Sequence, residues 1–335
     1  MYIHYAWIAV GIGAMLSFLA LSWTRKPFMA NLRGKHIFLT GASSGIGLAV
    51  AKQALREGAY VTLVARSFEK METVAKSLLK ELELPKDRVL VMAADVGDYA
   101  SISTAVKESF GWRPIDILIN NAGITRSGFM EDFSLEDINT VVHTNVLGSI
   151  YPVHAILPQL KLRSRDHPIS VVFIGSLASL CWLYGNGVYT GTKHAVKGIA
   201  ESLRLELVPY NMRVNLVCPG FVNTGFLDDV DNEEELTAGM KVASFYNRKH
   251  AQSPEEVASI SIDGIKKGKF IITTTPVLGP ILVILTRGFS PSDSFLQNLV
   301  EAICAGPMRM ISYITQFDMC RRLKKIHYEH NHDSR

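Results

Sequence analysis

His36-Ile37-Phe38-Leu39-Thr40-Gly41-Ala42-Ser43-Ser44-Gly45-Ile46-Gly47 runs from five strand-forming residues into a glycine-rich turn, and an Ala-rich helical pattern follows as far as Glu57. The alternation predicts a strand over His36–Thr40 and a helix from Gly45, stopped by Gly58. Between them Gly41, Gly45 and Gly47 stand at G-x-x-x-G-x-G spacing. Such a turn lets backbone N–H groups approach a pyrophosphate at the positive end of a helix. In this context the residues Gly41, Ser43, Ser44, Gly45, Ile46 and Gly47 read as a dinucleotide cradle; a tight turn without a ligand is the competing reading.

Outward from that turn, residues 34–275 alternate short β-branched runs with longer helical patterns, the mark of repeated βαβ units on a parallel sheet. Further strands are predicted at Tyr60–Ala65, Val89–Ala93, Ile115–Asn120, Ile169–Ile174, Arg213–Val217 and Lys269–Thr275. An amphipathic helix follows Phe68, one long helix spans Ser134–Leu162, and another starts near Gly187. Ser253-Pro254-Glu255-Glu256 opens a last one with a capping box and Pro at its first position. The class is α/β, a doubly wound Rossmann-type parallel sheet. No internal repeat interrupts it.

The end of the second strand bears on the cofactor. An Asp or Glu there takes the ribose hydroxyls of NAD. This chain has Val64-Ala65-Arg66 and no acid until Glu69. Arg66, with Lys70, suits a 2′-phosphate through charge-assisted hydrogen bonds and points to NADPH; a plain surface charge is the alternative.

The chemistry sits later. Tyr189 and Lys193 are four apart on one helix face, and Ser176 follows the strand Ile169–Ile174. A tyrosine pKa near ~10 makes a poor base at neutral pH. A lysine ammonium one turn away and a positive nicotinamide ring both favour the phenolate. In the reducing direction Tyr189 would give its proton to a carbonyl oxygen, Ser176 would hydrogen-bond that oxygen, and Lys193 would also hold ribose hydroxyls. Taken singly, Ser176 is a strand-end hydroxyl and Tyr189 a packing aromatic. Their joint spacing argues for catalysis.

Composition narrows the class. The 335 residues are 48% hydrophobic and 20% charged, so a large core is available. Mean hydropathy is +0.16, with the excess at the two ends. A net charge of +4 without a basic, aromatic stripe speaks against nucleic acid. Cys181, Cys218, Cys304 and Cys320 show no Cys-x-x-Cys spacing, which fits a reducing compartment and excludes a zinc or disulfide framework. No metal site is expected, and His327, His330 and His332 read as a solvated tail.

Residues 1–24 hold no Lys, Arg, Asp or Glu, and Tyr5–Trp23 is long enough for a transmembrane anchor flanked by Tyr2, Tyr5, Trp7 and Trp23. Arg25, Lys26, Arg33 and Lys35 then place the downstream side in the cytoplasm, after a linker over 25–33. A cleaved signal peptide is the rival reading, but its charged start is missing. At the other end, residues 276–320 predict a membrane-associated helical hairpin: Val277–Thr286 is too short to span, and Leu299–Phe317 is broken by Pro307 and Arg309. A soluble, lipid-facing lid is the alternative. Residues 321–335 form a polar tail.

Thr40-Gly41-x-x-x-Gly45-x-Gly47, Asn121-Ala122-Gly123, Ser176, Tyr189-x-x-x-Lys193 and Pro219-Gly220 together resemble the motif set of the short-chain dehydrogenase/reductase superfamily over residues 34–275. The resemblance implies strand order 3-2-1-4-5-6-7. It further implies that Asn145 joins the catalytic group by placing a relay water for Lys193, that Asp95 meets the adenine, that Asn121 lines the cofactor, and that Thr224 contacts the nicotinamide side. The helices at 134–162 and 187–208 are where the superfamily forms homo-oligomers. Leu63-Val64-Ala65-Arg66, Asn145-x-x-Gly148-Ser149-Ile150-Tyr151-Pro152, Pro209-Tyr210-Asn211 and Met308-Arg309 through Arg321-Arg322 are closer still to the 3-ketodihydrosphingosine reductase family. That resemblance implies NADPH-dependent reduction of a long-chain lipid ketone at the cytosolic face of the endoplasmic reticulum membrane. Gly175, Gly191 and Thr192 depart from the usual residues, and residues 228–250, within the expected substrate lid 221–250, match no pattern. A reticulum hydroxysteroid or retinol dehydrogenase is the alternative enzyme. A non-catalytic membrane scaffold is the reading from another class, and the intact Ser176, Tyr189, Lys193 and Asn145 weigh against it.

Overall fold

Seven strands form one parallel sheet in the order β3-β2-β1-β4-β5-β6-β7. They are β1 (His36–Thr40), β2 (Tyr60–Ala65), β3 (Val89–Ala93), β4 (Ile117–Asn120), β5 (Ile169–Ile174), β6 (Met212–Cys218) and β7 (Ile271–Thr273). The computed structural model describes residues 27–225, 251–286 and 295–333. The predicted anchor over 1–24 and the greater part of the predicted lid 221–250 lie outside the described residues.

The sheet is covered on both faces, which is why its strands read as nearly unbroken apolar runs. Period-two alternation sorts their side chains. Phe38, Leu118, Val171 and Phe173 fill one face, and Ile37, Leu39, Ile117, Ile119 and Val172 the other. Helices α3 (Tyr99–Trp112), α5 (Gly148–Arg163) and α6 (Gly187–Glu206) cover the first through Ile102, Ile156 and Leu203. Helices α1 (Gly45–Arg56), α2 (Phe68–Glu81) and α7 (Pro254–Lys266) cover the second through Leu55, Met71 and Ile262. Register is direct, with Leu39 opposite Leu63 and Ile119 and Phe173 opposite Leu216. The lower edge is tied by buried Asp116, whose Oδ1 takes both Nε and an Nη of Arg163 at 3.0 and 2.7 Å while its Oδ2 accepts the His36 N–H at 2.9 Å.

The structure corrects three predicted elements. The helix predicted over Ser134–Leu162 is α4 (Leu135–Val142), a π turn at His143–Leu147 and then α5. The backbone widens where the Asn145 side chain is pulled into the loop after β4 and where Pro152 offers no N–H to the Gly148 carbonyl. The last strand is shorter than predicted, because Thr274 leaves the sheet to bond the Gln252 side chain. At the C-terminus α8 (Leu278–Thr286) is followed by one helix, α9 (Phe295–Asp333), that runs through Pro307 and on through the predicted polar tail. Among the described residues, no helix is long and apolar enough to cross a membrane.

Candidate active site

The carboxyl ends of β1, β4, β5 and β6 meet at one opening, and each delivers a different part of the site. Thr40, the last residue of β1, accepts at its Oγ1 the N–H groups of Asn121 and Ala122, both at 3.1 Å. Asn121 returns the bond: its Nδ2 donates to the Thr40 and Gly41 carbonyls at 3.0 and 2.9 Å. The turn is thereby pinned with Gly41 and Gly45 at φ +67° and +55°. A Cβ on Gly47 would overlap the Gly41 carbonyl oxygen and lie 2.5 Å from Asn121 Nδ2. Only glycine closes this cradle.

The helix behind the cradle is open at its positive end. Ser67, Asp98, Ser134 and Ser253 each cap their helices with a side-chain bond, whereas Ser44 does not, and the first turn of α1 holds no acid. Its orphan N–H groups suit the phosphates of a dinucleotide. Arg66 and Lys70 line the same opening from the end of β2 and the start of α2, both exposed, and Arg66 has no ion pair among the described residues. Asp95 also lines it, with Oδ1 committed to the Gly97 N–H at 2.8 Å. Thr224 stands against the turn: a Cβ on Gly45 would lie 3.1 Å from its Cγ2. The residues present therefore fit a dinucleotide.

β5 ends beside that cradle and hands over Ser176. The Ser176 N–H donates to Ser179 Oγ at 3.3 Å, and Ser176 Oγ accepts from the Ala178 N–H at 3.1 Å. Helix α6 presents Tyr189 and Lys193 from the opposite wall, both buried. Burial pushes the Tyr189 hydroxyl up to about 12, while a hydrogen bond with the Ser176 side chain works against that shift. Burial likewise pushes Lys193 down to about 8. The lysine Nζ donates to the Ile174 carbonyl at 2.9 Å and lies 5.6 Å from the Tyr189 ring centre. Desolvation is the largest influence on the Tyr189 hydroxyl, which carries its proton at neutral pH. Cys181 and Cys218 are pushed up to about 11 and 12 by burial, so neither thiol is primed as a nucleophile.

Asn145 sits in the π turn, buried, and uses its whole amide. Its Oδ1 accepts the Ile124 N–H at 2.9 Å, and its Nδ2 donates to the Ile124 carbonyl at 2.9 Å and to Thr192 Oγ1 at 3.0 Å. Thr192 in turn donates to the Tyr189 carbonyl at 2.7 Å. Asn145 and Lys193 flank Gly123, where an added Cβ would lie 3.3 Å from Asn145 Oδ1 and 3.6 Å from Lys193 Nζ. All predicted site residues except Asn145 line a single cavity of about 1580 Å³; Asn145 backs its wall.

Sequence reasoning passed over Ser179, the bridging role of Thr192 and the wall contributed by Trp182; Phe221 fell within the expected lid, and α8 and α9, which also line the cavity, fell within the segment read as a membrane hairpin or a lipid-facing lid. Gly175 was the available signal. A Cβ there would sit 2.8 Å from Ser179 Oγ, so the missing side chain marks where Ser179 reaches back to Ser176.

This is the geometry of an oxidoreductase that works between C–OH and C=O, with a proton donor facing a nucleotide cradle. The chain belongs to the short chain dehydrogenase family, whose pattern matches residues 35–235. Among curated relatives, a 3-dehydrosphinganine reductase from Arabidopsis thaliana is 34% identical over 301 residues, covering 90% of this chain and 89% of that one. A 3-dehydrosphinganine reductase from Danio rerio is 31% identical over 326 residues, covering 94% and 95%. Two solved structures share the fold at 24% identity. A short chain dehydrogenase/reductase from Burkholderia phymatum in complex with NAD has a TM-score of 0.68, with 80% of this chain and 99% of that one covered. L-sorbose reductase from Gluconobacter frateurii, complexed with NADPH and L-sorbose, has a TM-score of 0.62, with 74% and 98% covered.

Proposed function

We propose that the protein reduces 3-ketodihydrosphingosine to dihydrosphingosine with NADPH, at the endoplasmic reticulum membrane with its catalytic domain in the cytosol. The observation that carries this is the cavity: Ser176 and Tyr189 line it together with Leu278, Ile281, Leu282 and Leu285 of α8 and Met308 and Met319 of α9. About 1580 Å³ is more than the ~300–1,000 Å³ of a common ligand pocket and suits a dinucleotide together with a long alkyl chain. The names of the relatives agree with that reading.

NADPH bound in the cradle would supply the hydride. The protein's part is the proton. Tyr189, which burial holds near 12, carries its proton at neutral pH; the Lys193 ammonium and the positive ring of the oxidised nicotinamide would favour the phenolate as that proton passes to the oxygen of the reduced carbon. Ser176 shares a hydrogen bond with it and would hold the same oxygen. Lys193, near 8, keeps its charge at pH 7 and replaces the proton as Tyr189 gives it up. Asn145 fixes the loop at Ile124 that faces them, and a relay water beside it and Lys193 is part of the proposal. Arg66 and Lys70 select the 2′-phosphate. The anchor over residues 1–24 and pairing of copies through α5 and α6 also belong to the proposal, the latter supported by exposed Leu162, Leu205 and Val208.

NADPH consumption by the purified chain with 3-ketodihydrosphingosine, a steroid ketone and retinal tests the substrate. Turnover should be highest with the sphingoid ketone; turnover with only the steroid or retinal would assign the hydroxysteroid or retinol reading instead. Protease digestion of intact microsomes tests the topology, and protection of the catalytic domain would refute a cytosolic placement.

A further inference from the structure

Helix α9 is built inside out. A helix on a protein surface turns its apolar stripe to the core and its polar side to water. In α9, Ile303, Met310, Ile314 and Phe317 are 68%, 67%, 63% and 67% exposed. At about 100° per residue these four fall within an arc of roughly 60°. Met308 and Met319, the buried residues among those of the helix whose side chains are described, lie on the opposite side, and polar Ser312 and Gln316 line the cavity with them. The outer stripe does not end in a neutral surface. Arg321, Lys324 and Lys325, all exposed, carry the same arc onward.

We infer that α9 lies in the plane of a membrane containing anionic lipid, with this stripe among the acyl chains and the basic residues on the headgroups, so that α8 and α9 form a roof through which the lipid ketone passes from bilayer to cavity. The inference rests on the lipid-ketone reading above. Three observations select a lipid surface over a second copy of the chain. The apolar stripe is continuous with a cluster of cations, the composition of an interfacial helix on anionic lipid. The helix is too polar to cross, in keeping with lying on the surface. Finally, the cavity reaches the underside of this same helix, so among the described residues the α8–α9 pair stands between a lipid surface and the cavity that holds Tyr189.

The test uses the full chain reconstituted in vesicles of neutral lipid with or without phosphatidylserine. Ketone reduction is measured with a short, water-soluble ketone and with a long-chain ketone carried in the vesicles. The triple variant Met310→Gln, Ile314→Gln, Phe317→Gln should reduce the soluble ketone at the unaltered rate while its KM for the vesicle-borne ketone rises ten-fold or more. Arg321→Gln, Lys324→Gln, Lys325→Gln should abolish the gain from phosphatidylserine and leave the neutral-vesicle rate alone. Equal rates for parent and variants on both ketones would overturn the roof, and so would a matching loss on both. Dissociation of a dimer by the triple variant, with the vesicle-borne KM unmoved, would assign the stripe to a second copy. Failure of the parent chain to reduce any lipid ketone would instead sink the function, and is told apart by that control. As a second measure, in a background with Cys181, Cys304 and Cys320 replaced by Ser, a solvent-sensitive probe attached at Ile314→Cys should be quenched by lipids brominated along the chain, while one at Glu72→Cys on α2 is not; equal quenching at both, or at neither, would overturn the placement.

Discussion

Helix α7 and helix α9 face opposite ways, and the contrast divides the molecule. In α7, Val257, Ala258, Ile262 and Ile265 are buried while Glu255 and Asp263 meet solvent. In α9, Met308 and Met319 go inward while the larger apolar side chains go out. The sheet and its six flanking helices hold themselves together by burying their own apolar surface, at roughly 25 cal/mol per Å². The α8–α9 pair contributes little to that core. Its place is explained by what lies under it, the cavity, and by what lies over it.

The sharpest test of this division is chemical. Tyr189→Phe should lower turnover by about 10³-fold, or about 4 kcal/mol, since a positioned proton donor contributes on that scale. Dinucleotide binding, followed by fluorescence titration, should survive, because the cradle is pinned by Thr40 and Asn121 and not by Tyr189. Loss of binding as well would mean that the two halves of the body are not separable.

The next effect belongs to the core alone. Burial holds His36 near 4, below its ordinary 6.5, with Nδ1 at 2.9 Å from the Arg113 carbonyl and Nε2 at 2.9 Å from Thr62 Oγ1. The unfolded chain therefore binds the extra proton first. The stabilisation is whole above about pH 6.5 and drains away as pH falls toward 4, by about 3 kcal/mol. Urea unfolding at pH 7 and pH 4.5 should show that loss in the parent and a much smaller one in His36→Asn.

A smaller effect is expected at the rim. Arg66→Ala should weaken NADPH by about 2 kcal/mol, the worth of one or two hydrogen bonds to a charged group, and leave NADH nearly unchanged. Isothermal titration with both nucleotides decides it, and equal weakening would remove the 2′-phosphate role. Least of all should happen when the roof is trimmed. Leu282→Ala should change unfolding free energy by less than ~1 kcal/mol, because the site is only half-buried, against about 2–5 for a closed core position. Its mark should be a raised KM for long-chain ketones with kcat intact.

The body was the legible part of the chain. Strands buried on both faces leave long apolar runs, and glycines that must admit a backbone or a phosphate cannot be replaced, so β1, the cradle and the Ser176–Tyr189–Lys193 group were all readable. Features set by contacts distant in sequence were not. The π turn at Asn145 depends on Ile124, twenty-one residues upstream, and an apolar pattern over 134–162 passes straight across it. Pro307 misled in the other direction. It signals a break, yet α9 runs through it, since a single lost N–H leaves the rest of a long helix bonded. The exposure of Ile303 and Phe317 has no local signature at all: the same spacing describes a helix facing inward.

Gly175 and Ser179 have a consequence for how this chain can drift. The space a side chain would take at 175 is filled by a hydroxyl from 179, and that hydroxyl accepts the Ser176 N–H. Neither position is free to change first. A serine introduced at 175 meets an occupied site, and an alanine at 179 leaves a gap beside the residue that must hold the substrate oxygen. A Cβ at 175 would also meet the Leu216 side chain at 3.0 Å and the Val217 carbonyl at 3.1 Å, so even a paired exchange has little room in this corner next to the chemistry.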